Sequence, residues 1–124
     1  PQKHHVGTTQ YLIKMSVKMA WVILILAGVF EIIWAYSMKM SEGFTKLTPS
    51  IVTLIFMILS VVLLSIAMRS LPLGTAYTVW TGIGAIGSFI VGIIVLHEPM
   101  TAMRMIAAIL IVSGLVLMKL SSTS

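Results

Sequence analysis

The chain is short, apolar and poor in charge, and these properties exclude most soluble folds. Its 124 residues are 59% hydrophobic and 9% charged, whereas a soluble domain carries roughly 25% charged residues. A soluble domain of this size could not bury so much apolar surface, because small domains hide only about two thirds of what their unfolded chains expose. The net charge of +5 would suggest nucleic acid in a soluble protein, but the basic residues flank apolar runs and therefore indicate membrane topology.

The predicted elements begin with a polar leader. Residues 1–18 are basic and lack the apolar stretch of a signal peptide. We interpret them as a segment outside the functional unit, either native or added upstream of Met19. Four continuous apolar runs follow, each close to the 20 residues that cross a bilayer as a helix. The predicted helices cover residues 19–38, 49–68, 75–96 and 102–118.

These runs predict an all-α integral membrane protein with four transmembrane helices. Continuous runs disfavour a β-barrel, whose strands alternate apolar and polar residues. Residues 19–121 then form one transmembrane domain, and residues 122–124 form a tail. The chain has no cysteine, which excludes disulfides and thiolate metal sites.

Basic residues are almost evenly divided between the two ends of the predicted bundle. Without the leader, one end carries Arg69 and Lys119. The other end carries Lys39, Lys46 and Arg104, and counting the leader changes the ratio to five against three. An excess of Lys and Arg normally decides orientation, so such a chain could insert both ways. Two copies would then form an antiparallel, dual-topology homodimer, as inverted repeats do within larger transporters.

Small residues on two spans indicate close helix packing. The fourth span has Ala107, Ile111 and Gly114 on one stripe, and the third has Gly84, Ser88 and Gly92 at intervals of four. Small residues let helix backbones approach closely in lipid. Packing within one chain is the alternative, but we predict packing between chains for the fourth span.

Glu31 is the only acidic residue inside a predicted span, and no basic residue lies within seven positions of it. A charged side chain at this depth costs at least about 2.5 kcal/mol, so Glu31 should face a cavity or carry a proton part of the time. A carboxyl group that takes either a proton or a cation has the minimal chemistry for proton–cation exchange. The structural alternative is an ion pair, for which Lys119 is the only basic residue able to reach inward.

Polar and aromatic residues accompany Glu31 on three spans. Buried Tyr and Trp need hydrogen-bond partners, and aromatic faces attract cations. Trp80 lies deeper than an interfacial aromatic belt, whereas Trp21, at the start of its span, fits such a belt. We therefore expect a cation site at Glu31, in which donors from Ser, Tyr and Trp surround the carboxylate. Its other predicted members are Gly28, Trp34, Met57, Ser60, Tyr77 and Trp80.

The third span contains G-x-G-x-x-G at residues 82–87. The dinucleotide fingerprint requires a preceding strand and an acidic residue about 20 positions later, and Glu98 comes too early. We therefore expect no nucleotide, and instead predict that Gly82, Gly84 and Gly87 form a hinge. No pattern for a metal, a cofactor or enzymatic catalysis is present in the sequence, so we do not expect an enzyme.

Three segments resemble the small multidrug resistance family: AGVFEIIWA at residues 27–35, GFTKLTPS at 43–50 and LPLGTAYTVWTGIG at 71–84. The resemblance covers Met19 to about Ser121. Trp34, the residues 80–84 and Lys119 are similar to the guanidinium-exporting branch in particular. The resemblance implies a multi-pass protein of the bacterial inner membrane. It also implies an antiparallel homodimer with one shared central site and proton-driven export.

The resemblance also implies roles for individual residues. Glu31 matches the central carboxylate, and Trp34 matches a residue in contact with the substrate. Met57 would line a lateral opening toward lipid. Ser60, Tyr77 and Trp80 match residues that hold the carboxylate, and Gly28 and Lys119 would support the site. The sequence departs from the family at residues 36–38, which are more polar and bulky than usual.

Two other functions remain open at this point. The same fold could export bulky hydrophobic quaternary cations, although Trp34 fills space beside Glu31. The chain could also be one half of a heterodimeric pair, although its nearly balanced charge favours a homodimer. We expect guanidinium because it is planar and rich in N–H donors, so a carboxylate can receive it bidentately.

Overall fold

A computed structural model describes residues 16–121 as four consecutive α-helices. By length and composition, all four are able to cross a membrane, which confirms the predicted all-helical architecture with four spans. Residues 1–15 of the predicted leader and the tail at 122–124 lie outside the described residues. The helices are α1 (Val17–Met40), α2 (Leu47–Ala67), α3 (Leu73–Ile94) and α4 (Ala102–Ser121).

The helix ends differ from the predicted ends by at most three residues. Ser16 caps α1, because its Oγ accepts the N–H of Met19 at 3.1 Å. The helix therefore begins at Val17 and includes Lys18, which the sequence assigned to the leader. At the other end of the chain, α4 continues through Lys119 to Ser121. A helix can continue beyond its apolar run, because long basic side chains at the helix end can extend toward water.

The helices α1, α2 and α3 form the packed part of the molecule. α1 contacts both α2 and α3 along its length, whereas α2 and α3 touch each other only briefly. Small alanine side chains on three elements let the backbones approach around Trp21 and Leu24. The buried core consists of Ala20, Trp21, Leu24, Ala27, Leu64, Ala67, Leu71, Ala76 and Val79.

α4 is the least buried of the four described helices. Among the described helices its backbone approaches α3 only, and none of its residues is buried. Its Leu115 and Met118 pack against the edge of the core. Ala107 and Ile111 line an open groove between α4 and α3, and an added Cβ at Gly114 would meet nothing within 4 Å. The predicted stripe is therefore accessible in a single chain, and its packing against a second chain stays a prediction.

The glycines of the predicted hinge lie within an uninterrupted α3. Each of the three leaves room for one neighbouring side chain. An added Cβ at Gly82 would collide with Leu115, and one at Gly87 would collide with Ile32. The third, Gly84, faces Glu31. In this structure the glycines allow close approach between helices, and bending at these positions stays a prediction.

Candidate cation-binding site

The carboxyl group of Glu31 rests against the backbone of α3. A Cβ at Gly84 would overlap both the Oε1 and the Cδ of Glu31, so only glycine leaves this space open. Oε1 is buried and has no hydrogen-bond partner within residues 16–121. The ion pairs in the same part of the chain join Glu42 to Lys46 and Glu98 to Arg104. Packing alone therefore positions the Glu31 carboxyl, which could take up a proton or a cation.

Two hydrogen bonds connect α3, α2 and α1 one turn before Glu31. Trp80 Nε1 donates to Ser60 Oγ at 2.9 Å, and Ser60 Oγ donates to the carbonyl oxygen of Ala27 at 2.7 Å. In an α-helix that carbonyl also accepts the N–H of Glu31. Ser60 is fully buried. The relay therefore holds the backbone of α1 one helical turn before the candidate site.

This relay differs from the expected arrangement, in which Ser60 and Trp80 donate to the carboxylate. A hydroxyl group has a single proton to donate, and Ser60 donates it to Ala27. The indole N–H of Trp80 is likewise used by Ser60. The structure thus brings both predicted residues next to the Glu31 turn, but it does not place their donors on the carboxylate.

Trp34 and Tyr77 occupy different environments. Trp34 is half-buried, and its Nε1, like Glu31 Oε1 and the Nε1 of Trp21, is a buried polar atom without a partner in residues 16–121. Trp34 lies three residues after Glu31, so the unpaired atoms of these two residues belong to nearly the same face of α1. Tyr77 is 52% exposed, and its ring centroid lies 5.6 Å from that of Trp80. Tyr77 therefore flanks the relay from the surface of the single chain.

A pair of aromatic rings beside the site was not found by sequence reasoning. Phe30 precedes Glu31, and its ring meets that of Phe56 edge-on, with centroids 5.2 Å apart. Met57, the predicted portal residue, follows Phe56 on α2 and is half-buried. The pair closes the contact between α1 and α2 at the level of Glu31. Phenylalanines near the middle of consecutive spans are the available sequence signal, but they are common in membrane helices.

Lys119 contacts an aromatic ring instead of a carboxylate. Its Nζ lies 4.6 Å from the ring centroid of Trp21, so the alternative ion pair with Glu31 is not formed. Trp21 itself is only 7% exposed and belongs to the core. The interpretation of Trp21 as an interfacial belt residue was therefore wrong. Alanines at positions 20, 67 and 76 leave the space that the indole fills.

Gly28 brings α1 and α3 together one turn before Glu31. A Cβ at this position would lie 2.6 Å from Cγ2 of Ile83, too close for any larger residue without a shift. This close approach of α1 and α3 at Gly28 and Ile83 lies next to the Glu31–Gly84 contact and helps to hold the two helices together there. No cluster of three or more potential metal ligands occurs in the described part of the chain.

Comparison with known proteins matches this chain to one membrane family. The family model described as Small Multidrug Resistance protein covers residues 19–122. The chain is 54% identical over 104 residues to the guanidinium exporter of Yersinia pseudotuberculosis serotype I, which spans 84% of this chain and 100% of the relative. It is 51% identical over 104 residues to the guanidinium exporters of Citrobacter freundii and Escherichia coli K12, at 84% of this chain and 99% of each relative.

Proposed function

We propose that this chain, which belongs to the small multidrug resistance family, exports guanidinium across the bacterial inner membrane in exchange for protons. The observation that carries the proposal is the Glu31 carboxyl group, which lies inside an apolar four-helix unit with no partner in residues 16–121. Relatives at 51–54% identity over nearly their whole length are named guanidinium exporters. These names support a transporter rather than an enzyme, and we propose that its transport is secondary active.

The chemistry of the site suits a small planar cation. A carboxylate can accept two parallel N–H bonds from a guanidinium group, as it does from the head group of Arg. The unpaired indole of Trp34 lies one turn away on the same helix, and an indole face attracts cations. A bulky quaternary ammonium has no N–H donors for the carboxylate and would have to displace Trp34.

Proton coupling follows from competition for one carboxyl group. Protonated Glu31 has no charge with which to hold a cation, and ionised Glu31 holds either a cation or nothing. Protons that enter on one side therefore release the substrate there, and loss of the proton on the other side restores the cation site. The relay from Trp80 through Ser60 to Ala27 keeps α1 fixed during this exchange.

We further propose that two copies in opposite orientations form the working unit, with one Glu31 from each. Support comes from α4, an apolar helix without a single buried residue in one chain. The nearly even division of basic residues between the two ends is consistent with dual insertion. Unpaired groups at Glu31 and Trp34 would then face a site shared between the two copies.

The test is charge movement in proteoliposomes on a solid-supported membrane. Guanidinium and tetrapropylammonium are applied in turn to the wild-type chain, to Glu31→Gln and to the control Glu42→Gln. Glu42 is an exposed carboxylate paired with Lys46 at 2.6 Å outside the spans, so its loss should leave transport unchanged. We expect current with guanidinium and none from Glu31→Gln.

Three results would change the conclusion. Full proton-driven transport by Glu31→Gln refutes the role of the carboxyl group. Comparable current with tetrapropylammonium assigns the chain to exporters of hydrophobic cations. Silence with both cations, from correctly inserted protein, indicates that a different partner chain is required.

A further inference from the structure

A cavity with four polar side chains in its wall lies between α1 and α3, at the end of the bundle that carries the α1–α2 and α3–α4 loops. Its volume is about 210 Å³, and it is separate from the Glu31–Gly84 contact. Four polar side chains line it: Tyr36 and Lys39 from α1, Ser88 from α3 and Glu98 from the following loop. Apart from Glu31, the function proposed above uses no carboxylate, so Glu98 has no assigned role.

Glu98 is held in place by the backbone. Its N–H donates to the carbonyl oxygen of Gly92 at 2.9 Å. Its carboxyl group lies on Gly92, where an added Cβ would overlap Oε1. The chain reverses just before it through His97, whose φ is +58°, a left-handed conformation that few non-glycine residues adopt. Arg104 Nη2 forms the ion pair described above with Oε1, at 4.0 Å and with both side chains partly exposed. The carboxylate therefore has a defined position at the cavity wall.

The cavity begins one helical turn from the central site. Glu31 contacts Gly84, and Ser88, one turn farther along α3, lines the cavity. The side chain of Ile32 lies over Gly87 and also lines the cavity. An apolar side chain thus lies between the Glu31–Gly84 contact and the cavity. A solute that leaves Glu31 toward this end of the bundle would pass Ile32 and meet the second carboxylate.

We propose that this cavity is a vestibule in which Glu98 binds the guanidinium cation transiently on its way to or from Glu31; the inference rests on the proposed function. The Glu98 carboxylate supplies the charge, and the hydroxyl oxygens of Tyr36 and Ser88 can accept further N–H groups. Lys39 lines the same cavity and repels the bound cation. Repulsion keeps the occupancy short, as a site on a transport path requires. A cavity of about 210 Å³ has room for a cation as small as guanidinium.

Cysteine protection measures occupancy of the vestibule directly. Because the chain has no cysteine, Ala35→Cys places a single thiol at the cavity wall. The variant is made together with Glu31→Gln, which removes the central site. Uncharged N-ethylmaleimide is then applied in guanidinium chloride or in potassium chloride at equal concentration. We expect guanidinium to slow the modification, and Thr45→Cys in the exposed α1–α2 loop to react equally in both salts.

Two further variants test the roles of the charges. Adding Glu98→Gln should abolish the protection. Adding Lys39→Gln, which leaves the contact of Glu98 with Gly92 intact, should strengthen it. Equal modification rates in the two salts, or protection that Lys39→Gln weakens or leaves unchanged, would overturn the proposal. The second variant keeps the test decisive even if the loss of Glu98 disturbs folding.

Transport kinetics separate this proposal from the proposed function. Glu98→Gln should raise the apparent KM for guanidinium roughly fivefold, the effect of one charge contact at high dielectric, with little change in maximal current. Glu42→Gln should leave KM unchanged. Guanidinium current from the wild-type chain, together with no protection of Ala35→Cys in the Glu31→Gln background, refutes the vestibule alone. A wild-type chain without guanidinium current refutes the proposed function itself.

Discussion

The contact between Glu31 and Gly84 couples the stability of the helix packing to the candidate site. In Gly84→Ala, the new Cβ would overlap the Glu31 carboxyl, whereas Gly74 on the same helix has nothing within 4 Å of its Cβ position. Overpacking of this kind costs about 1–3 kcal/mol, and replacing glycine by alanine in a helix returns up to about 1 kcal/mol. We therefore expect Gly84→Ala to destabilise the chain by about 1 kcal/mol, and Gly74→Ala to cause no loss.

A double-mutant cycle assigns this cost to the carboxyl group. In a Glu31→Ala background the overlap disappears, so Gly84→Ala should become neutral or stabilising by up to about 1 kcal/mol. The coupling energy between the two positions should thus be about 1–3 kcal/mol. Unfolding in mixed detergent micelles by increasing dodecyl sulfate, followed by circular dichroism, measures all four free energies. Guanidinium currents from Gly84→Ala alone should fall, because the carboxyl is displaced.

An equal cost of Gly84→Ala in both backgrounds would refute this reasoning. It would mean that the new methyl group strains the α1–α3 packing elsewhere. A loss of stability from Gly74→Ala would show that the method responds to any added side chain on α3.

Two further contacts make separate predictions, measured by the same unfolding assay. Ser60→Ala removes the middle of the relay and leaves the Trp80 indole N–H unpaired, which should cost about 1–3 kcal/mol. Combined with Trp80→Phe, it should show a coupling of about 0.6 kcal/mol, and strictly additive losses would argue against the relay. Lys119→Gln removes the attraction of the ammonium group to the Trp21 ring and should lower the free energy of unfolding by about 0.5–1 kcal/mol. Lys119→Arg keeps a cation on the ring and should cause no such loss. The same loss in a Trp21→Leu background would contradict that contact.

Hydropathy was sufficient to locate the four helices of the described chain. Each apolar run has the length that a bilayer imposes on a helix, and each was found at its predicted place. The ends were less accurate because they depend on hydrogen bonds. A serine at position 16 extends α1 backward into the polar leader. A lysine at position 119 does not end α4.

The sequence identified candidate residues for the site but not the contacts that they make in the structure. Glu31 could be found because an acidic residue inside an apolar span is rare and costly. The true acceptor of the Ser60 proton is the backbone carbonyl of Ala27, which has no sequence signal. Gly84 was predicted as a hinge, and the structure places it beneath a carboxyl group. Both roles depend on the missing Cβ, so the sequence alone cannot distinguish them.

The polar groups near the site divide into two sets that suit opposite tasks. Trp80, Ser60 and the Ala27 carbonyl satisfy one another in a continuous relay. Glu31 Oε1 and Trp34 Nε1 are buried and unpaired within residues 16–121. Most buried polar groups find a partner, so the second set has free energy to gain from any ligand or neighbouring chain that supplies one. A transporter needs one set of groups that stays fixed and another that changes partners. α1 carries the second set, which begins at Glu31, one helical turn after the Ala27 carbonyl that the relay holds.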